Sequence, residues 1–162
     1  MDKRTDPEVE FLRHALATLA YRAEKALRGA PGIFPSLRIA PGTRSPAEIL
    51  AHMGDLMDWA LWLAKGKHVW RDSAPQEWDA DVDRFFAALQ ALDLFLASGV
   101  PPGAPPGRLF QGPVADALTH VGQIAIMRRV AGSPVKGENY FRAEIAPGRA
   151  GADQSGRRVE FD

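Results

Sequence analysis

Apolar residues recur at helical spacing in four stretches of the chain, and Gly/Pro-rich segments separate them. Leu12, Leu16, Leu19, Ala23 and Leu27 define the first stretch, predicting a helix over about 7–28. Asp6 before Pro7 marks its start and Gly29 its end. The second helix opens at SPAE, 45–48: Ser45 is an N-cap, Pro46 occupies the first helical position and Glu48 completes a capping box. It should run to about Lys65, with Gly66 closing it. Val82, Phe85, Phe86, Leu89, Leu92 and Leu96 form the stripe of a third helix over about 79–97. A fourth is predicted from Pro113 to about Ala131, with PPGAPPG at 101–107 joining it to the third. The fold class this implies is all-α: one domain over 1–162, an antiparallel four-helix bundle over about 7–132.

Two segments fall outside that pattern. The helix 1–2 connection, GAPGIFPSLRIAPGTR, is long but apolar, so Ile33, Phe34, Leu37 and Ile39 are expected to pack on the bundle. The C-terminal extension, 133–162, is polar and glycine-rich. Its short alternating pieces, YFRAEI and RRVEF, suggest two brief strands, an ordered strap or a frayed end.

Composition narrows the partners. Lys and Arg number 20, as do Asp and Glu, so no basic excess invites nucleic acid. No apolar run is long enough to span a membrane, and MDKRTDPEVE lacks the form of a secretory signal, so a cytoplasmic location is expected. Cysteine is absent, which removes disulfides, thiolate ligands and a cysteine nucleophile together. Any sulfur chemistry must use a thiol brought by a ligand.

The chemistry-bearing stretch is VADALTHVGQIAIM. Asp116 and His120 stand four apart, on one helix face, with Gln123 and Met127 within about 60° of them at 100° per residue. His52, on helix two, lies within about 60° of Ile49 and about 40° of Leu56, facing the interior. Trp59 falls almost directly above it and would wall a pocket, and Asp55 is placed to take the free imidazole N–H. An acid and two imidazoles at one spot suit a divalent metal: two histidines and a carboxylate form a catalytic zinc set with an open position, or the facial triad of non-haem iron. A hydrogen-bonded Asp116–His120 pair near the helix N-terminus, with His52 bonded to a backbone carbonyl, fits the same residues.

Other residues have simpler readings. His14 points away from the apolar stripe, and His68 lies in the loop after helix two. Arg128 and Arg129 suit the negative pole of helix four, or an anionic cosubstrate.

Taken together, EILAHMGDLMDWAL on helix two and D-ALT-H-V-G-Q-IAIMRRVAG on helix four resemble the DinB-like (DinB/YfiT) superfamily of metal-binding four-helix bundles. The resemblance runs from helix one to about Gly132. It implies His52, Asp116 and His120 as metal ligands, with Gly122 and Gln123 matching the family's G-Q. Asp116 replaces the usual second histidine, and Val121 the arginine before G-Q. A carboxylate at the former position resembles the thiol-dependent isomerase branch. The activity implied is metal-dependent transfer or use of a low-molecular-weight thiol on an electrophilic small-molecule substrate. Zinc or nickel is the implied metal and a homodimer the implied assembly. Hydrolysis by activated water and a non-catalytic dimeric metal-binding protein are the alternatives.

Overall fold

In the computed structural model, which describes residues 6–161, the helices follow the capping signals closely. Helix α1 spans Pro7–Leu27, and Asp6 accepts from the Glu8 N–H at 2.9 Å. Leu12, Leu16, Leu19 and Ala23 are fully buried along it. Helix α2 spans Pro46–Ala64 and carries the complete capping box between Ser45 and Glu48. Helix α3 spans Trp78–Ala97. Among the described residues α2 packs most extensively on α3, and both α1 and α2 pack on the last long helix, Ala115–Val130, with α1 also on α3. The buried Leu, Phe and Met residues of these helices form one core.

Arg38 reinforces the start of α2. Its Nη1 and Nη2 bond the two Glu48 carboxylate oxygens at 3.1 and 3.0 Å. The Arg38 guanidinium, with the Ser45 N–H, holds the Glu48 carboxyl down at about 2. A depressed folded-state pKa stabilises above the ordinary value near 4.3 and is lost as pH falls through the folded value. Glu48→Gln should therefore lower the urea midpoint at pH 7, and the gap to wild type should close as pH approaches 2. A gap unchanged by acid would remove the ion pair as its cause.

The last helical region departs from expectation. It begins not at Pro113 but with α4, Pro106–Leu109, where Pro106 takes the first helical position. A π-turn over Phe110–Val114 follows and leads directly into α5, Ala115–Val130. Pro113 has no N–H for an α-helical ladder. The wider turn tolerates it, and the ladder resumes with the Ala115 N–H donating to Phe110 O. Asp116 and His120 thus sit on the two turns immediately after a π-turn.

The helix 1–2 connection packs through half of its apolar residues. Phe34, in a short 3-10 turn, is buried, and Leu37 packs against the core. Ile33 and Ile39 stay exposed, at 76% and 50%, contrary to the expectation that all four pack down.

The C-terminal extension is a strap with a two-stranded sheet. Strand β1, Gly137–Glu138, pairs antiparallel with β2, Glu160–Phe161, in the register Glu138↔Glu160. The predicted strand at YFRAEI is instead a 3-10 turn at Tyr140–Arg142. Charged side chains fasten the strap to α1. Glu138 accepts from Tyr21 Oη and from Lys25 Nζ, the latter at 2.7 Å, and Lys25 also meets Glu160 at 3.1 Å. Arg157 pairs with Glu24, and the Arg22 guanidinium lies 3.9 Å from the Tyr140 ring centroid.

No helix of the described residues is long and apolar enough to cross a membrane.

Candidate metal centre

The N-terminal halves of α2 and α5 meet, and three of their side chains converge. His52 Nε2 lies 3.5 Å from Asp116 Oδ2, and His120 Nε2 lies 3.5 Å from Asp116 Oδ1. One ligand atom from each residue falls within 4.8 Å of the others. The two imidazole rings are 4.9 Å apart and nearly perpendicular, at 88°.

These separations bear on both accounts of the cluster. A hydrogen bond to a carboxylate runs at about 2.7–3.2 Å, so both Asp116 contacts are long for direct bonds. Nitrogen and oxygen ligands about 2.0–2.2 Å from a tetrahedral zinc are about 3.4 Å apart along each edge. Each 3.5 Å contact is close to that edge, but the two use different Asp116 oxygens, and the three donors as a set span up to 4.8 Å. The donor types and their convergence suit a divalent ion.

Gln123 fixes the second histidine. Its Oε1 is 2.8 Å from His120 Nδ1. With Nδ1–H donating to that oxygen, the lone pair of Nε2 is left facing Asp116. His52 carries the other favourable trait. Burial pushes its pKa below the ordinary histidine value, helped by His120 and Arg44 and opposed by Asp116. The net lowering favours the neutral ring, the state a ligand needs.

The cluster is less enclosed than the helical wheel implied. His120 is buried, but the Asp116 side chain is 48% exposed. The expected buried spot is an open edge between α2 and α5. A cleft of about 320 Å³ lies beside His52, and another of about 330 Å³ beside His120 and Gln123.

Two positions assigned from sequence spacing act differently. Asp55 does not orient His52. Its oxygens accept from Ser73 N–H at 2.8 Å, Ser73 Oγ at 2.7 Å and Arg84 Nη1 at 3.0 Å. Arg84 crosses from α3 over Gly54, where a Cβ would sit 2.6 Å from the guanidinium carbon. Asp55 still lines the cleft beside His52, so its place on the helix was legible but its partners were not. Trp59 pairs with other rings. Its ring packs on His68 and Trp70, and Trp70 packs edge-on against His52 at 5.7 Å. Arg128, an alternative anion site, is fully engaged: it donates to carbonyls of Ala26, Arg28, Gly29 and Ser133.

Sequence reasoning missed Trp70 and Arg44. Both lie in irregular connections, where no hydrophobic period assigns a facing. His14 and His68 are exposed, on α1 and in a loop.

The chain matches no protein-family model, no curated protein and no solved structure.

Proposed function

We propose that the chain is a single-domain antiparallel four-helix bundle of the DinB-like type. In this reading it binds zinc or nickel through His52, Asp116 and His120. It works in the cytoplasm as a metal-dependent transferase, joining a low-molecular-weight thiol to an electrophilic small molecule. The observation that carries the reading is the convergence of two imidazole nitrogens and a carboxylate oxygen within 4.8 Å of one another at the α2–α5 edge.

A bound divalent ion would make a coordinating thiol a thiolate at neutral pH. The chain's own residues arrange the rest. His52 and His120 supply neutral nitrogens, Gln123 holds the His120 ring, and Asp116 supplies the one negative charge. The exposed side of Asp116 leaves room for a fourth ligand and a path for the thiol proton to solvent. Sulfur then forms its bond to the electrophilic carbon as the leaving group departs with the bonding electrons. Openness favours catalysis over a closed, purely structural metal site.

The test uses zinc- and nickel-loaded protein with chlorodinitrobenzene and a small thiol. Thioether formation should need both protein and thiol and should fall to background in His52→Ala. Turnover of para-nitrophenyl acetate without thiol would replace the transferase with a hydrolase at the same site. Turnover in neither assay would sink the enzyme reading.

A further inference from the structure

The two clefts beside the histidine–aspartate cluster differ in character. In the first, lined by Arg38, Glu48, Asp55 and Asp72, most of the charge is matched internally. Arg38 is held by Glu48, and Asp55 by Arg84 and Ser73. The second is walled by Ile39, Ile49, Ile126 and Met127, beside His120 and Gln123. Arg44 lines both clefts.

Arg44 differs from the other cations near the site. Among the described residues it forms no ion pair within 4.0 Å, whereas Arg38 and Arg84 both do. Its neighbour Thr43 is already committed, donating its hydroxyl to Ala40 O at 2.7 Å. One guanidinium as the only cation on the cleft wall suits a flat monoanion better than a phosphate, which carries more charge. The cleft walls carry a second signal. Ile39 and Ile126 are 50% and 52% exposed, and both face this same space. Single exposed isoleucines are ordinary, but two on the wall of a cleft holding an unpaired cation form an amphipathic surface.

Charge balance points the same way. Two neutral imidazoles and one carboxylate leave a divalent ion with positive charge to spare, and Arg44 adds more. We propose that Arg44 and the isoleucine-lined cleft form a carboxylate subsite for an amphipathic ligand. The apolar body lies on Ile39, Ile49 and Ile126, the carboxylate meets Arg44, and the donor atom meets the ion held by His52, Asp116 and His120. This assignment rests on the metal reading above.

Cobalt(II)-loaded protein separates the two. The ligand-field absorption of bound cobalt reports the metal site alone. The sulfur-to-cobalt charge-transfer band then reports titration with ω-mercaptohexanoate and with mercaptohexanol, which differ only at the far end. Wild type should bind the acid roughly tenfold more tightly than the alcohol, the effect of one charge-assisted pair. Arg44→Gln should erase that preference while leaving the alcohol's affinity unchanged. Ile126→Ser should weaken both ligands together. Equal affinity for acid and alcohol in cobalt-loaded wild type would overturn the subsite and leave the metal site standing. A preference that survives in Arg44→Gln would overturn the role of Arg44. Absence of a cobalt spectrum in wild type would overturn both readings.

Discussion

Wild-type protein dialysed against zinc or nickel should retain about one equivalent of metal, as a three-ligand site with an open position requires. His52→Ala, Asp116→Ala and His120→Ala should each retain almost none. Gln123 gives the scale for comparison. Its side-chain hydrogen bond is to His120, and losing such an orienting partner typically weakens metal binding about 10–100-fold. Loss of a coordinating atom should cost more than that. Gln123→Ala should therefore fall between wild type and the ligand variants. Inductively coupled plasma mass spectrometry after dialysis reads all five proteins. The folded state of each variant is checked by circular dichroism, and the exposure of Asp116 makes its replacement the least disruptive. Equal metal in wild type and Asp116→Ala would remove the aspartate from the site. Metal absent from wild type after loading would restore the alternative of a paired acid and histidine, long as that contact is.

The second large effect concerns the strap. Glu138→Ala should destabilise the fold by about 3–5 kcal/mol, the usual cost of removing one partner from a buried ion pair. Its side chain is fully buried and takes hydrogen bonds from Tyr21 Oη and Lys25 Nζ. Burial works against the Lys25 charge, but the bonds from Glu138 and Glu160 outweigh it and hold its pKa above the ordinary lysine value. Removing Glu138 would leave that ammonium with only the half-exposed edge of the sheet, and the Tyr21 hydroxyl with no acceptor there. The raised folded-state pKa means the contribution is full below the ordinary lysine value near 10.4 and is lost as pH climbs through the folded value. Urea unfolding at pH 7 measures the effect. Glu144→Gln, which breaks only the exposed pair with Arg158, should change stability by less than about 0.5 kcal/mol. A Glu138→Ala protein as stable as that control would show that the strap is not fastened to α1 by these charges.

The strap also shows why that part of the chain was hard to read. Nothing in KGENYFRAEI marks Glu138 as a core residue, since an isolated acid in a polar stretch is ordinarily solvated. It is buried because Tyr21 and Lys25, more than a hundred positions earlier, supply its partners. The strands there are two residues each, too short for any alternation to appear. The same limit applies to Arg128, whose basic position at a helix end is explained by its own dipole, yet whose actual partners are carbonyls of Ala26, Arg28 and Gly29 at the end of α1.

What the sequence by itself determined was local. The starts of α1 and α2 follow from Asp6–Pro7 and Ser45–Pro46–Glu48, because a cap and its donors lie within three residues of each other. The stripe of α3 follows from its period. The relative facing of Asp116, His120 and Gln123 follows from the geometry of one helix, which also explains the His120–Gln123 contact. Tertiary structure decided everything that depends on two elements meeting. It placed His52 against Asp116 and gave Asp55 to Arg84 and Ser73. It set Trp70 rather than Trp59 on the His52 ring, and turned Ile39 outward beside Arg44. It also moved the start of the last helical region from Pro113 to Pro106, because a π-turn can carry a proline that an α-helical ladder cannot. Periodicity fixes which way a side chain points on its own helix; what it meets there depends on long-range packing, in which residues far apart in the chain compete for the same space and the same hydrogen bonds.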